Sequence, residues 1–230
     1  MTRFSNAIIV GASGGIGGAL ADALEERGAQ VRRLSRRSDP PVDLADEETI
    51  ATAARTLEGG GPYDLVMVAA GLLHDEEIAP EKSWKMLEAA PLAKLFAVNA
   101  SGPLLVARHF LPLMPRNAPA AFAALSARVG SIGDNRLGGW YGYRASKAAL
   151  NQLLRTLAID LARTHEQMVV AALHPGTVDT ALSKPFQRGV PDAQLFTPQK
   201  SAAHLLDVIE GLAPADSGHH FDWAGKRVDP

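Results

Sequence analysis

Short blocks of consecutive apolar residues alternate along this chain with longer stretches in which apolar positions recur every three or four residues. The blocks at 7–10, 65–68, 120–125 and 168–173 have the length and composition of strands buried on both faces. Further strands are expected at 30–34 and 218–222. Between them the helical period places Ile16, Leu20, Ala23 and Leu24 on one face, with Gly28 as the stop signal. It also predicts helices over 46–57, about 92–113, and from about Tyr141 to Leu161, the last with a wide apolar stripe through Leu150, Leu153, Leu154, Leu157 and Leu161. Thr197-Pro198 reads as an N-cap with proline at the first helical position, opening a helix to about Gly211. Strand and helix signals in alternation imply an α/β fold, a doubly wound parallel sheet with helices on both faces.

Composition narrows this picture. With 230 residues and 47% hydrophobic content, the chain suits one domain with a sizeable core. A net charge of -2 supplies no global basic field for nucleic acid or an anionic membrane. The absence of cysteine excludes disulfides and thiolate metal sites and fits a reducing compartment, so a cytoplasmic location is expected. Met1 to Asn6 does not read as a signal peptide, and no later apolar run is expected to span a bilayer.

Candidate chemistry gathers where strands end. The first strand runs into Gly11-Ala12-Ser13-Gly14-Gly15-Ile16-Gly17, where glycines allow a tight turn and let backbone N–H groups approach an anion ahead of a helix. The spacing is not the strict G-x-G-x-x-G, so the dinucleotide reading rests on its place between strand and helix. The second strand ends in Ser35-Arg36-Arg37. No acid is available there for a ribose 2′-OH, and Arg36, with Arg37, suits the 2′-phosphate of NADP(H). Asn99 lies among Phe96, Val98 and Leu104 and requires a partner. Tyr143 and Lys147, four apart on a helix, share one face, and a neighbouring ammonium should lower the phenol pKa toward proton-transfer range. His74 and His174 read as a loop and a strand-end residue. No metal site is expected.

In this order, the glycine segment, Asn99, the serines before Tyr143-x-x-x-Lys147, and Pro175-Gly176 resemble the short-chain dehydrogenase/reductase family over nearly the whole chain. Gly130-Ser131-Ile132, Asp134 to Tyr141, Phe196-Thr197-Pro198 and Asp216-Ser217-Gly218 resemble its branch of C-factor-like proteins and sniffer-type carbonyl reductases. The resemblance implies a Rossmann fold and NADPH-linked reduction of a ketone or aldehyde, or the reverse oxidation of an alcohol. Tyr143 would be the proton donor, Lys147 the residue that tunes it and binds ribose, and Asn99 the holder of a relay water. It further implies that the turn from Ser13 to Ile16 holds pyrophosphate, Asp43 and Leu44 border adenine, and Ala70 and Gly71 line its ribose. Pro175, Gly176, Val178 and Thr180 would hold the nicotinamide end.

Two departures from the family stand out. The Asn-Asn-Ala-Gly motif reads Val68-Ala69-Ala70-Gly71, and the second of the paired serines, which polarises the carbonyl, is Ala127. Ser126 is favoured over Ser131 as the substitute, with no acting serine as the third option. A lid over about 181–197 and an apolar wall of Trp140, Phe186 and Phe196 are expected to shape the substrate pocket. Pairing through the long helix after Tyr143 would make a homodimer or homotetramer. The alternative function is that of an NADP-binding regulatory protein with little turnover.

Overall fold

The computed structural model describes residues 2–230. Six parallel strands form the central sheet in the order β2-β1-β3-β4-β5-β8. They are β1 (Asn6–Val10), β2 (Gln30–Leu34), β3 (Leu65–Val68), β4 (Ala120–Leu125), β5 (Met168–His174) and β8 (His219–Asp222). A separate two-stranded ladder pairs β6 (Thr177–Val178) with β7 (Leu195–Phe196). The helices are α1 (Gly15–Glu26), α2 (Glu47–Leu57), α3 (Ala89–Phe96), α4 (Gly102–Phe110), α5 (Tyr141–Leu161) and α6 (Pro198–Gly211). Their placement follows from strand alternation. Ile8, Val66, Phe122 and Val170 join Ile50, Phe110 and Leu150 from α2, α4 and α5, while Ile9, Met67, Ala123 and Leu173 join Leu20, Leu24 and Leu206 from α1 and α6. Each apolar set is removed from water on its own face, at about 1.5–3 kcal/mol for each large side chain.

Every central strand has its carboxyl end at the same edge of the sheet, and the order reverses between β1 and β3, where a ligand crevice forms. Helix ends follow their local chemistry: Asp46 accepts from the Glu48 N–H to start α2, and Thr197 accepts from Lys200 N–H to start α6. The helix expected over 92–113 differs from its prediction. Residues Ala97–Ser101 form a π-helical turn that separates α3 from α4 and carries Asn99. Taken through that turn, Ala89–Leu113 is 25 residues long and apolar enough by length and composition to cross a membrane. This corrects the expectation of no such run, which judged contiguous apolar residues rather than helical length. In the fold the segment lies against α5.

Candidate active site

The crevice at the switch point has a volume of about 560 Å³ and is bordered by the glycine loop at one end and by Tyr143 and Lys147 at the other. The loop is folded by backbone bonds: Gly11 and Ala12 N–H donate to Leu34 O, and Gly14 N–H donates to Gly11 O. Glycine is required where contacts are closest. Gly11 has φ +94°, and a Cβ there would lie 2.6 Å from Ala70 N, while one on Gly17 would overlap Gly11 O. A Cβ on Gly15 would meet Thr180 at 2.9 Å. Helix α1 has Gly14 at its cap position, with no side-chain cap and no acid in its first turn, an arrangement that suits a phosphate. Ser13, Gly14, Gly15 and Ile16 line this end, whereas Gly17 packs beneath.

Arg36 and Arg37 are exposed and, with Ser13, border an adjoining recess. Their loop is knitted by serines. Ser35 N–H donates to Ser38 Oγ at 2.8 Å, Arg37 N–H to Ser35 Oγ at 3.1 Å, and Val42 N–H to Ser35 O at 2.8 Å. Asp43, Leu44, Ala70 and Gly71 continue the lining, as do Pro175 and Thr180. Gly176, at φ +79°, lies against the Phe196 ring, and Val178 is buried in the β6–β7 ladder, so both shape the wall from behind.

At the other end, the Lys147 ammonium donates to Leu125 O at 2.8 Å and lies 5.9 Å from the Tyr143 ring centroid. Both residues are almost fully enclosed. Burial pushes the Tyr143 phenol up to about 12 and the Lys147 ammonium down to about 8. The shift is opposite in direction to the lowering expected from Lys147, and its cause is burial, which a one-turn spacing does not reveal. Asn99 is fully buried and its amide is completely engaged: Oδ1 accepts from Leu72 N–H at 2.8 Å, and Nδ2 donates to Leu72 O at 2.7 Å and to Ser146 Oγ at 3.1 Å. Ser146 in turn donates to Tyr143 O. Asn99 thus binds the loop after β3 to the first turns of α5.

The serines have other partners. Ser126 borders the crevice, but its hydroxyl donates to Asn151 Oδ1 at 2.7 Å. Ser131 is buried, directs its hydroxyl to Pro230 O and accepts from Asp134 N–H. The aromatic wall is also rearranged. Trp140 packs on Phe186 with centroids 4.9 Å apart and on Tyr143 at 6.3 Å, while Phe196 belongs to a different cluster with His204 and Trp223. Tertiary packing, which no local pattern encodes, removes Phe196 from the wall. His74 meets Phe186 edge-on at 5.5 Å, and its Nε2 lies 3.0 Å from Leu182 O. His74 reads in sequence as a loop residue, since nothing local links it to Leu182, 108 positions away.

A doubly wound parallel sheet with a glycine-rich turn after its first strand, and with Tyr143 and Lys147 bordering the crevice at the switch point, has the arrangement of a Rossmann fold. A family model described as short chain dehydrogenase matches residues 5–190, and the chain belongs to that family. It is 32% identical over 226 residues to the 1-hydroxy-2-glutathionyl-2-methyl-3-butene dehydrogenase of Rhodococcus sp. (strain AD45), covering 93% of this chain and 94% of the relative. It is 38% identical over 171 residues to the C-signal of Myxococcus xanthus, covering 73% and 93%. Among solved structures, the NADPH-bound carbonyl reductase from chicken fatty liver superposes with a TM-score of 0.85 at 24% identity, covering 100% of this chain and 96% of that one. The fold is therefore shared with that reductase, and the C-signal likeness places the chain in the C-factor-like branch.

Proposed function

We propose that the protein is an NADPH-dependent carbonyl reductase, able to run in reverse on the corresponding alcohol. One observation supports this above others: Tyr143 and Lys147 border the same crevice whose far end carries an uncapped helix N-terminus and the Arg36–Arg37 pair. Backbone N–H groups around Ser13 to Ile16 would hold the pyrophosphate, and Arg36 with Arg37 the 2′-phosphate that separates NADPH from NADH. Asp43 and Leu44 would border adenine, Ala70 and Gly71 its ribose, and Pro175 and Thr180 the nicotinamide end. When bound, the cofactor supplies the hydride that reaches the carbonyl carbon.

The remaining chemistry belongs to side chains. Tyr143 donates its proton to the carbonyl oxygen, and the phenolate formed is stabilised by the nearby Lys147 ammonium, which also reaches ribose. Asn99, its amide spent on Leu72 and Ser146, acts by fixing the catalytic helix against the loop after β3. A relay water at this point would bind the backbone of the π-helical turn rather than the amide. With Ser126 and Ser131 engaged elsewhere and Ala127 apolar, Tyr143 is the principal side-chain donor to the oxygen. Trp140 and Phe186 favour an apolar small or medium ketone or aldehyde. NADPH oxidation measured against a panel of aldehydes, ketones and quinones tests the assignment; no turnover with any of them, alongside tight NADPH binding, would contradict it.

That negative result would favour the second reading, a nucleotide-binding regulatory protein with little turnover. Ala127 and the likeness to C-signal support it. Pairing into a homodimer or homotetramer through α5 is also proposed, on the exposure of Ile159 and of Phe96 on the neighbouring helix.

A further inference from the structure

Helix α5 begins in an unusual way. Its cap position is Trp140, a bulky residue with left-handed backbone (φ 53°, ψ 43°), and no side chain at that position caps the helix. What meets the exposed N–H groups comes from the loop between β3 and α3. Glu81 is only 5% exposed. Its two carboxylate oxygens lie 3.2 and 3.3 Å from the Gly142 N–H, and its own carbonyl oxygen accepts from the Trp140 N–H at 2.5 Å. No basic side chain forms a salt bridge with Glu81 among the described residues; the charge is compensated by the positive end of a 21-residue helix.

The seat is close-fitting on its other sides. A Cβ at Gly142 would lie 2.9 Å from Glu81 Oε1, 2.6 Å from Leu95 Cδ1 and 2.9 Å from Leu92 Cδ2. The helix end is therefore pressed between the Glu81 carboxylate and α3, with Tyr143 the next residue along. Trp140, held by the Glu81 carbonyl, packs on both Tyr143 and Phe186. One acidic residue, 61 positions upstream of Gly142, thus holds both the backbone next to the phenol and the residue whose ring packs on it.

We propose that Glu81 is a positioning residue for the reaction: its carboxylate holds the first turn of α5 so that the Tyr143 hydroxyl and the Trp140 ring meet the substrate in one fixed relation. The proposal rests on the reductase reading for its kinetic consequence, but its structural content stands apart from turnover. Losing the acceptor should displace the phenol by a fraction of an ångström to an ångström, enough to slow chemistry while the glycine loop and arginines remain intact.

The test combines kinetics with a direct view of the phenol. Glu81→Ala should lower kcat for carbonyl reduction by about tenfold to a hundredfold, with the NADPH dissociation constant within about threefold of the parent. Glu81→Gln, which keeps an oxygen for the Gly142 N–H, should recover most of the rate. In parallel, with Cζ-labelled tyrosine, the Tyr143 NMR signal, assigned by its loss in Tyr143→Phe, should move in Glu81→Ala and return toward its parent position in Glu81→Gln. Buried Tyr63 serves as the unmoved reference. If Glu81→Ala does not fold, Glu81→Asp, which withdraws the carboxylate by one methylene, should show the same displaced signal and reduced kcat.

A folded variant whose Tyr143 signal coincides with the parent's would overturn the proposal, as would a parallel loss of kcat and NADPH binding that glutamine does not restore. If the parent turns over no carbonyl, the reductase reading fails alone, and the NMR comparison still decides the role of Glu81.

Discussion

Tyr143→Phe removes one oxygen and nothing else, and carbonyl reduction should fall by about 10²–10⁴-fold while NADPH binding changes only slightly, measured by steady-state rates and fluorescence titration. Ala127→Ser should act in the opposite sense. It adds a hydroxyl next to Ser126, which borders the crevice but whose own hydroxyl, like that of Ser131, has another partner, and an increase in kcat is expected. Arg36→Ala should cost NADPH about tenfold to a hundredfold in affinity, the worth of one or two charged hydrogen bonds, and leave NADH nearly unaffected. The candidate residues themselves were legible because helix geometry is local: four residues of spacing suffice to put Tyr143 and Lys147 on one face. Their protonation was not. The phenol is raised to about 12 by burial, which depends on the chain packed around α5 and which no spacing on α5 records.

At the scale of elements, β2, β3 and β4 lie where the apolar pattern and its bounding glycines and prolines place them, and α6 begins at the proline that follows Thr197. Such signals are short-range and strong. The π-helical turn inside the helix expected over 92–113 was not legible, since apolar periodicity continues through it and the turn answers to the Asn99–Leu72 and Asn99–Ser146 bonds instead. Glu81 escaped for a related reason. A buried acid capping a distant helix looks in sequence like any loop glutamate. The glycine loop, by contrast, makes a local prediction: Gly17→Ala would drive a methyl group into Gly11 O, so both NADPH affinity and melting temperature should fall together. Loss of neither would mean that the α1 N-terminus does not depend on that close approach.

For the molecule as a whole, acid stability carries a specific signature. Burial holds His174 and His220, on β5 and β8, well below their ordinary range at about 4, and His174 Nδ1 and His220 Nε2 are buried without a hydrogen-bond partner among the described residues. Unfolded, each titrates near its ordinary value of 6.5, so between that pH and about 4 the unfolded chain binds protons that the folded one refuses. Stability from this pair is full above pH 6.5 and declines as pH falls toward 4, on the order of a few kcal/mol in total. Urea unfolding across that range should show the decline, and His220→Phe should flatten it; an unchanged slope would place the acid-sensitive groups elsewhere. Light scattering should return a dimer or tetramer, and a monomer that persists at high concentration would remove α5 as a pairing surface. The central claim, that Tyr143 protonates a carbonyl as hydride arrives from NADPH, is tested most directly by supplying NADPH deuterated at the transferable position and examining the alcohol by mass spectrometry. One deuterium should appear on the carbinol carbon with the parent protein and almost none with Tyr143→Phe. Equal incorporation by both proteins would contradict it.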